Sequence, residues 1–172
     1  LQDEYYVCAL DTPGYGFSDK PLGGYDYSID DDARLVDETI REIAGLREFA
    51  LLTHDKGDSV GLALLQIYQA YDEKPYQIKH HFITNGNIYL PLADLARIQL
   101  LLLNKRKGPF ITRYISGKRF AKRMNTLVHS IPEPLEKVDA VASTIDYQDG
   151  GKVQHSIIQY LNQRHKHENE WL

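Results

Sequence analysis

The chain has 172 residues, the length of one ordinary domain, and its hydrophobic share of 42% is enough for a packed core. Its formal net charge is −4 and its pI about 6.0, so the overall charge gives no indication of nucleic-acid binding. The single cysteine, Cys8, excludes an internal disulfide framework, and no apolar run approaches the ~20 residues that cross a bilayer.

The first third of the chain predicts a strand, a loop and a helix. The apolar run Tyr5–Leu10 predicts a buried strand. A loop rich in glycine and proline follows over residues 12–21. Ser28 is then a good N-cap, because the aspartates at positions 30–32 suit the positive end of a helix. Apolar residues at helical spacing carry this helix to near Gly45.

The most informative stretch is a strand that runs into a tight turn and then a helix. Phe49–Thr53 predicts the strand, and apolar residues recur at helical spacing from Val60 to Tyr71. The residues between them have the small-x-Asp-x-Gly order of a nucleophile elbow, a turn that lifts one side chain clear of a sheet. The lifted residue would be Asp55, whose ionised carboxylate can attack a carbon atom directly.

A second nucleophile competes with Asp55. Gly57–Gly61 matches the pattern G-x-S-x-G, which would place Ser59 at the tip of the turn. The strand would then carry the polar residues 54–58 through a buried parallel sheet, where nearly continuous apolar runs are expected. The register therefore favours Asp55, while Ser59 remains the alternative. A third interpretation is that Asp55 only caps the helix.

The rest of the chain predicts one more strand and then helices. Ile78–Thr84 predicts the third strand, and short strand–helix–strand connections indicate a parallel α/β sheet. From about Pro91 the spacing predicts helices over residues 92–102, 110–124, 138–145 and 153–171. We predict a core with the elbow over residues 1–90 and a helical cap, or lid, over residues 91–172.

Three motifs resemble the α/β-hydrolase family, in its epoxide hydrolase and haloalkane dehalogenase branch. They are the Asp-x-x-Gly-x-Gly-x-Ser-Asp-Lys-Pro loop at Asp11–Pro21, the turn Thr53–Asp58, and a helical stretch after Thr84–Gly86. More narrowly, His54–Asp58 together with Ile158–Arg164 is similar to the mesoderm-specific-transcript group. The resemblance implies a partial α/β-hydrolase fold, with about three parallel strands and their helices, plus a helical cap.

The resemblance also implies a covalent mechanism. Asp55 would form an alkyl ester with the substrate, epoxides being the favoured class, and water would then hydrolyse the ester. The backbone N–H of Lys56 would help to stabilise the oxyanion. In this branch tyrosines of the cap supply the acid, which makes Tyr114 and Tyr160 candidates, although packing is the commoner role of a tyrosine. Lys56 stands where dehalogenases carry a tryptophan, and this disfavours halide abstraction.

Two parts of the family's machinery are not recognisable in these 172 residues. The family's acid and histidine base follow later strands, and its His-Gly loop precedes the first motif. We therefore expect the chain to be part of a larger protein and to be inactive by itself. We expect no metal and no cofactor, since no histidines have metal-ligand spacing and Gly14-x-Gly16 lacks the third glycine of a dinucleotide loop.

A basic segment supplies the partner predictions. Nine basic residues and no acidic one lie between Arg97 and Arg123. Either they form a solvated helix face, or they attract anionic groups. On the second interpretation the small-molecule substrate is anionic or lipid-like, and the segment makes a peripheral membrane contact. Two alternative functions follow, a serine-type ester hydrolase that uses Ser59 and a non-catalytic, hydrolase-like binding protein.

Overall fold

The computed structural model describes residues 1–86 and 88–171. Their contacts group the chain into two compact units. The first unit contains Leu1–Leu10, Ser28–Ala93 and the residues from Tyr160 onward, and the second contains Asp11–Tyr27 and Asp94–Gln159. The division into a core over residues 1–90 and a cap over residues 91–172 stays a prediction.

Helix α1, Ile29–Glu38, begins where the sequence predicts, directly after Ser28. The side chain of Ser28 accepts a hydrogen bond of 3.0 Å from the backbone N–H of Asp31, which caps the first turn. The helix continues as a wider π-helical turn over Thr39–Ala44, and the chain then leaves it at Gly45, whose φ is 58°. Glycine adopts this left-handed conformation without steric strain, so it ends the helix cleanly.

A parallel strand–helix–strand unit follows α1. Strand β1 is Glu48–His54, helix α2 is Lys56–Ala70 and strand β2 is Gln77–Thr84. β1 and β2 pair in parallel, with Leu51 opposite His81. Parallel neighbours need a crossover connection, which α2 provides, and α2 packs against α1. The predicted second and third strands and the helix between them are therefore confirmed.

The predicted strand Tyr5–Leu10 is wrong. These residues are irregular and exposed, and the sheet in the described part of the chain has two strands, not about three. A strand exists only where a neighbour accepts and donates its backbone hydrogen bonds, and neither β1 nor β2 pairs with this segment. Its apolar side chains remain in solvent, with Tyr6 87% exposed, because strand propensity alone does not bury them.

The second unit is helical. Its helices are α3 (Arg97–Leu103), α4 (Gly108–Ile111), α5 (Gly117–Val128), α6 (Leu135–Asp146) and α7 (Gln154–Ile157), with 3₁₀ turns at Thr112–Tyr114 and Tyr147–Val153. Helix α8, Tyr160–Trp171, belongs to the first unit. None of the described helices combines the length and apolarity that a bilayer-crossing helix needs.

Two long predicted helices are each broken in the structure. The one expected over residues 110–124 is interrupted at Ile115 and Ser116, where the backbone is extended. The backbone N–H of Gly117 donates 2.8 Å to Asp146 Oδ1, so a partner distant in sequence fixes the restart of the helix. The helix expected over residues 153–171 divides into α7 and α8. The helix expected over residues 92–102 begins later, at Arg97.

Candidate active site

Asp55 forms a tight turn between β1 and α2. Its φ is 49° and its ψ is −115°, a conformation that residues other than glycine rarely adopt. Such a conformation costs on the order of 1–3 kcal/mol and persists only where the surroundings hold it. The backbone N–H of Asp55 donates 3.3 Å to the carbonyl of Thr84, and its carbonyl accepts from the N–H of Asp58 at 3.2 Å. The turn leaves the Asp55 side chain 55% exposed.

Thr84, the last residue of β2, joins the ends of the two strands. Its hydroxyl donates 2.7 Å to the carbonyl of Thr53. His54 Nδ1 lies 2.9 Å from the Thr84 carbonyl. This contact ties the side chain of His54 to the end of β2.

Two side chains from α8 reach the turn. The Tyr160 hydroxyl donates 3.4 Å to Asp55 Oδ1. Arg164 Nη2 donates 2.9 Å to the Asp55 carbonyl and lies 3.6 Å from Asp55 Oδ1. The guanidinium of Arg164 also lies over the Tyr160 ring, 4.6 Å from its centroid. The structure therefore brings the predicted site residues Asp55, Lys56 and Tyr160 together within the first unit.

The Tyr160 hydroxyl remains protonated near neutral pH. Burial and the charge of Asp55 together raise the pKa of Tyr160 to about 12, although the charge of Arg164 acts to lower it. A phenol in this state can donate a hydrogen bond, which is the role that its contact with Asp55 Oδ1 requires.

Lys56 is the first residue of α2, and its side chain is buried. Its ammonium lies 2.6 Å from Asp32 Oδ2, and the Asp32 side chain is fully buried in α1. This ion pair joins α1 to the turn. Removing one member would leave an uncompensated buried charge, which typically destabilises a protein by about 3–5 kcal/mol. The backbone N–H of Lys56 lies at the N-terminus of α2, and its role as an oxyanion donor stays a prediction.

The G-x-S-x-G pattern lies inside α2 and not at the tip of the turn. Ser59 is fully buried, and its hydroxyl accepts a hydrogen bond of 2.7 Å from Arg164 Nε. A Cβ at Gly61 would lie 2.9 Å from both His81 Nε2 and Thr53 Cγ2, so this glycine allows the helix to approach the strands. The pattern is therefore accounted for by packing.

Tyr114 and the basic segment belong to the second unit. Tyr114 is 70% exposed, and its ring meets that of Phe110 edge-on at 5.6 Å. Its role as an acid stays a prediction, as does the anionic partner of the basic segment. All nine basic side chains are exposed, namely Arg97, Lys105, Arg106, Lys107, Arg113, Lys118, Arg119, Lys122 and Arg123.

The sequence interpretation gave no role to Arg164, although the motif Ile158–Arg164 contains it. The available signal was its spacing, since residues four apart on a helix share a face, and Tyr160 precedes it by four. Within the described part of the chain, no three His, Cys, Asp or Glu side chains are grouped as metal ligands would be.

A family model described as "alpha/beta hydrolase fold" matches residues 1–105. The mesoderm-specific transcript protein of Mus musculus is 33% identical over 170 residues, covering 96% of this chain and 50% of the relative. "Putative hydrolase LipZ" of Mycobacterium tuberculosis is 32% identical over 165 residues, covering 94% of this chain and 55% of the relative. The chain thus spans about half the length of the curated relatives it matches. No solved structure matches it. The chain belongs to the α/β-hydrolase fold family.

Proposed function

We propose that the protein is a hydrolase that uses Asp55 as a covalent nucleophile, with epoxides as the substrate class. The observation that carries this proposal is the conformation of Asp55, whose positive φ presents a half-exposed carboxylate between a parallel strand and a helix. A strained strand-to-helix turn is the geometry of a nucleophile elbow. The name of the mycobacterial relative, "Putative hydrolase LipZ", supports the general reaction class.

In the first step, the Asp55 carboxylate attacks a ring carbon of the epoxide. A bond forms between a carboxylate oxygen and that carbon, the ring C–O bond breaks, and the released alkoxide takes up a proton. Tyr160 and Tyr114 are the candidate proton donors. In the second step, water adds to the ester carbonyl, and the Lys56 N–H helps to stabilise the oxyanion. We assign the base that activates this water to no residue of this chain.

Ester trapping tests the proposal directly. The full-length protein is mixed with styrene oxide, quenched in acid within milliseconds to seconds, and digested for peptide mass spectrometry. We expect the adduct on Asp55, and Asp55→Asn should lower turnover by at least about 10³-fold, because the nucleophile is lost. Ser59→Ala is the matched control and should keep the adduct.

A fluorophosphonate probe distinguishes the serine alternative. Labelling at Ser59, with no adduct on Asp55, would reject the proposal in favour of a serine-type ester hydrolase. The burial of Ser59 and its hydrogen bond with Arg164 oppose that result.

A second candidate function is peripheral binding to an anionic membrane. Large apolar side chains are exposed within the basic segment, with Phe110 60% and Leu100 55% exposed. Basic residues near an anionic surface contribute about 1 kcal/mol each. We expect the protein to float with phosphatidylcholine vesicles only when phosphatidylserine is added.

Charge reversal tests this membrane contact. The triple variant Lys105→Glu, Arg106→Glu, Lys107→Glu should weaken vesicle binding by at least about tenfold. The matched control reverses three basic residues outside the segment, Lys79, Lys137 and Lys166. Equal binding by the two triple variants would contradict a membrane contact through the segment.

A further inference from the structure

We propose that Arg164 is a positioning residue for Asp55, which holds the strained turn and fixes which carboxylate oxygen attacks. This inference rests on the proposed function for its chemical part. Its structural part, the holding of the turn, concerns the fold alone and can be tested separately.

Arg164 contacts the turn and α2 at the same time. Its side chain is fully buried. Nε donates 2.7 Å to the hydroxyl of Ser59, and Nη2 donates 2.9 Å to the backbone carbonyl of Asp55. The guanidinium is planar, so its N–H groups point in fixed directions relative to one another. One rigid group therefore connects the body of α2 to the residue with positive φ that precedes the helix.

The backbone contact is the one that a strained residue needs. The Asp55 carbonyl accepts from both Arg164 and the N–H of Asp58. A hydrogen bond with a charged donor is among the stronger ones in a protein, so it can offset an unfavourable backbone conformation. The bond to Arg164 thus offsets strain that would otherwise relax by rotation of the peptide.

The side-chain contacts distinguish the two carboxylate oxygens. Asp55 Oδ1 faces Arg164 Nη2 at 3.6 Å and the Tyr160 hydroxyl at 3.4 Å. The arrangement directs Oδ2 toward the substrate. In the first step Oδ2 forms the new bond to carbon, the ring C–O bond breaks, and the alkoxide takes up its proton as described above. Oδ1 becomes the carbonyl oxygen of the ester, and Arg164 stays protonated throughout.

Arg164 could instead serve only to dock α8, and the next residue provides the control. Gln163 Oε1 accepts a hydrogen bond of 2.7 Å from the backbone N–H of Ile29, so it also fixes α8 to the first unit. That contact is made with the start of α1 and not with the turn. Gln163→Leu therefore weakens the docking of α8 while leaving the environment of Asp55 intact.

The first experiment measures ester formation in single turnovers of the full-length protein with styrene oxide. We expect Arg164→Gln to slow ester formation at Asp55 by about 10²-fold with the epoxide KM nearly unchanged, because a misplaced reacting group loses rate more than binding. Arg164→Lys keeps the charge but lacks the planar guanidinium. Its rate of ester formation should lie between those of Arg164→Gln and the unmodified protein. The rate of ester formation in Gln163→Leu should stay within about threefold of the rate in the unmodified protein. Equal slowing by Arg164→Gln and Gln163→Leu would overturn the inference.

The second experiment does not depend on catalysis. Amide hydrogen exchange at Asp55 and Asp58 reports whether the turn is held, since both N–H groups are hydrogen-bonded there. Arg164→Gln should speed their exchange by at least about tenfold, whereas Gln163→Leu should speed exchange at Ile29 instead. If Arg164→Gln does not fold, Arg164→Lys replaces it, with a smaller change expected at the same two amides.

The two experiments separate the two possible failures. If the unmodified protein forms no ester but the turn amides respond to Arg164 as expected, the proposed function fails and the positioning role stands. If the turn amides exchange at unchanged rates in both Arg164 variants, the positioning role is wrong whatever the ester measurement gives.

Discussion

Two carboxylates of the first unit, Asp37 and Asp55, are held in opposite ways. Asp37 is 3% exposed and accepts short hydrogen bonds from the hydroxyls of Tyr71 and Tyr76, each 2.6 Å, and from Arg41 Nε at 3.0 Å. Asp55 is held through its backbone, while its own oxygen has contacts of 3.4 and 3.6 Å. A carboxylate saturated by short hydrogen bonds stabilises the fold, whereas one on a strained, half-exposed turn is available for chemistry.

The pKa of Asp37 shows the effect of its three hydrogen bonds. Burial raises the pKa of Asp37, but the hydrogen bonds from Tyr71, Tyr76 and Arg41 outweigh burial, and the net change is downward. The same contact acts in the opposite direction on its partner, since burial and the bond to Asp37 raise the pKa of Tyr76. The network is therefore most stable with Asp37 ionised and Tyr76 neutral.

Among the changes that test this comparison, breaking the Asp37 network should have the largest effect on stability. Asp37→Ala removes the acceptor of three hydrogen bonds and should lower the free energy of unfolding by about 3 kcal/mol, at roughly 1 kcal/mol for each bond. Urea denaturation followed by circular dichroism measures the loss. Arg34→Ala is the control on the same helix, because its 2.8 Å pair with Asp31 is exposed and should contribute little. Similar losses for both variants would mean that Asp37 is not the structural carboxylate we describe.

The next effect concerns the helix that connects the two carboxylate sites. Gly61→Ala places a Cβ 2.9 Å from His81 Nε2 and Thr53 Cγ2, so α2 must move away from the strands. We expect the free energy of unfolding to fall by about 2 kcal/mol, which is in the usual range for overpacking. Gly57→Ala is the matched control, since its Cβ would meet only Thr53 Cβ at 3.9 Å, and a gain in helix propensity should make it neutral or stabilising. Thermal unfolding of both variants measures the difference in their stability. Equal destabilisation would contradict the close approach of α2 to the strands at Gly61.

At Asp55 the expected effect on stability is smaller, and it is a gain when the Cβ atom is removed. Asp55→Gly removes the carboxylate and also the Cβ that makes a φ of 49° unfavourable. Asp55→Ala removes the carboxylate but keeps the Cβ. We therefore expect the glycine variant to be more stable than the alanine variant by about 1 kcal/mol in urea denaturation. If the alanine variant is as stable as the glycine variant, the backbone of Asp55 is not strained. The contrast drawn between Asp55 and Asp37 would then be wrong.

The smallest effect is a dependence on pH. Because the folded pKa of Asp37 lies below the unfolded value of 3.8, its stabilisation is fully present above that value. It is then lost as the pH falls below 3.8 and through the folded pKa. The difference in unfolding free energy between the unmodified protein and Asp37→Asn should narrow over this acidic range. A constant difference between pH 6 and about pH 3 would show that Asp37 is not held in its ionised form.

The sequence predicted those parts of the first unit that depend on neighbours in the chain. Ser28 caps α1 through a residue three positions away, and the turn at Asp55 lies between elements that its own flanks define. The strand expected at Tyr5–Leu10 failed because strand formation requires a distant partner. Gly117 restarts a helix through Asp146, 29 positions away, and no local pattern encodes that contact. Arg164 contacts Asp55 across 109 positions, and only its four-residue spacing from Tyr160 pointed to it in the sequence.

The separation of Arg164 from Asp55 also bears on how the protein can vary. Tyr160 and Arg164 reach Asp55 across 105 and 109 positions of chain. The entropy of closing such a loop grows with the logarithm of its length, and doubling the loop adds only about 0.6 kcal/mol. Insertions or deletions between α2 and α8 should therefore have little effect on the stability of the turn at Asp55. Because Tyr160 and Arg164 both lie on α8, the turn has these contacts only when α8 is docked.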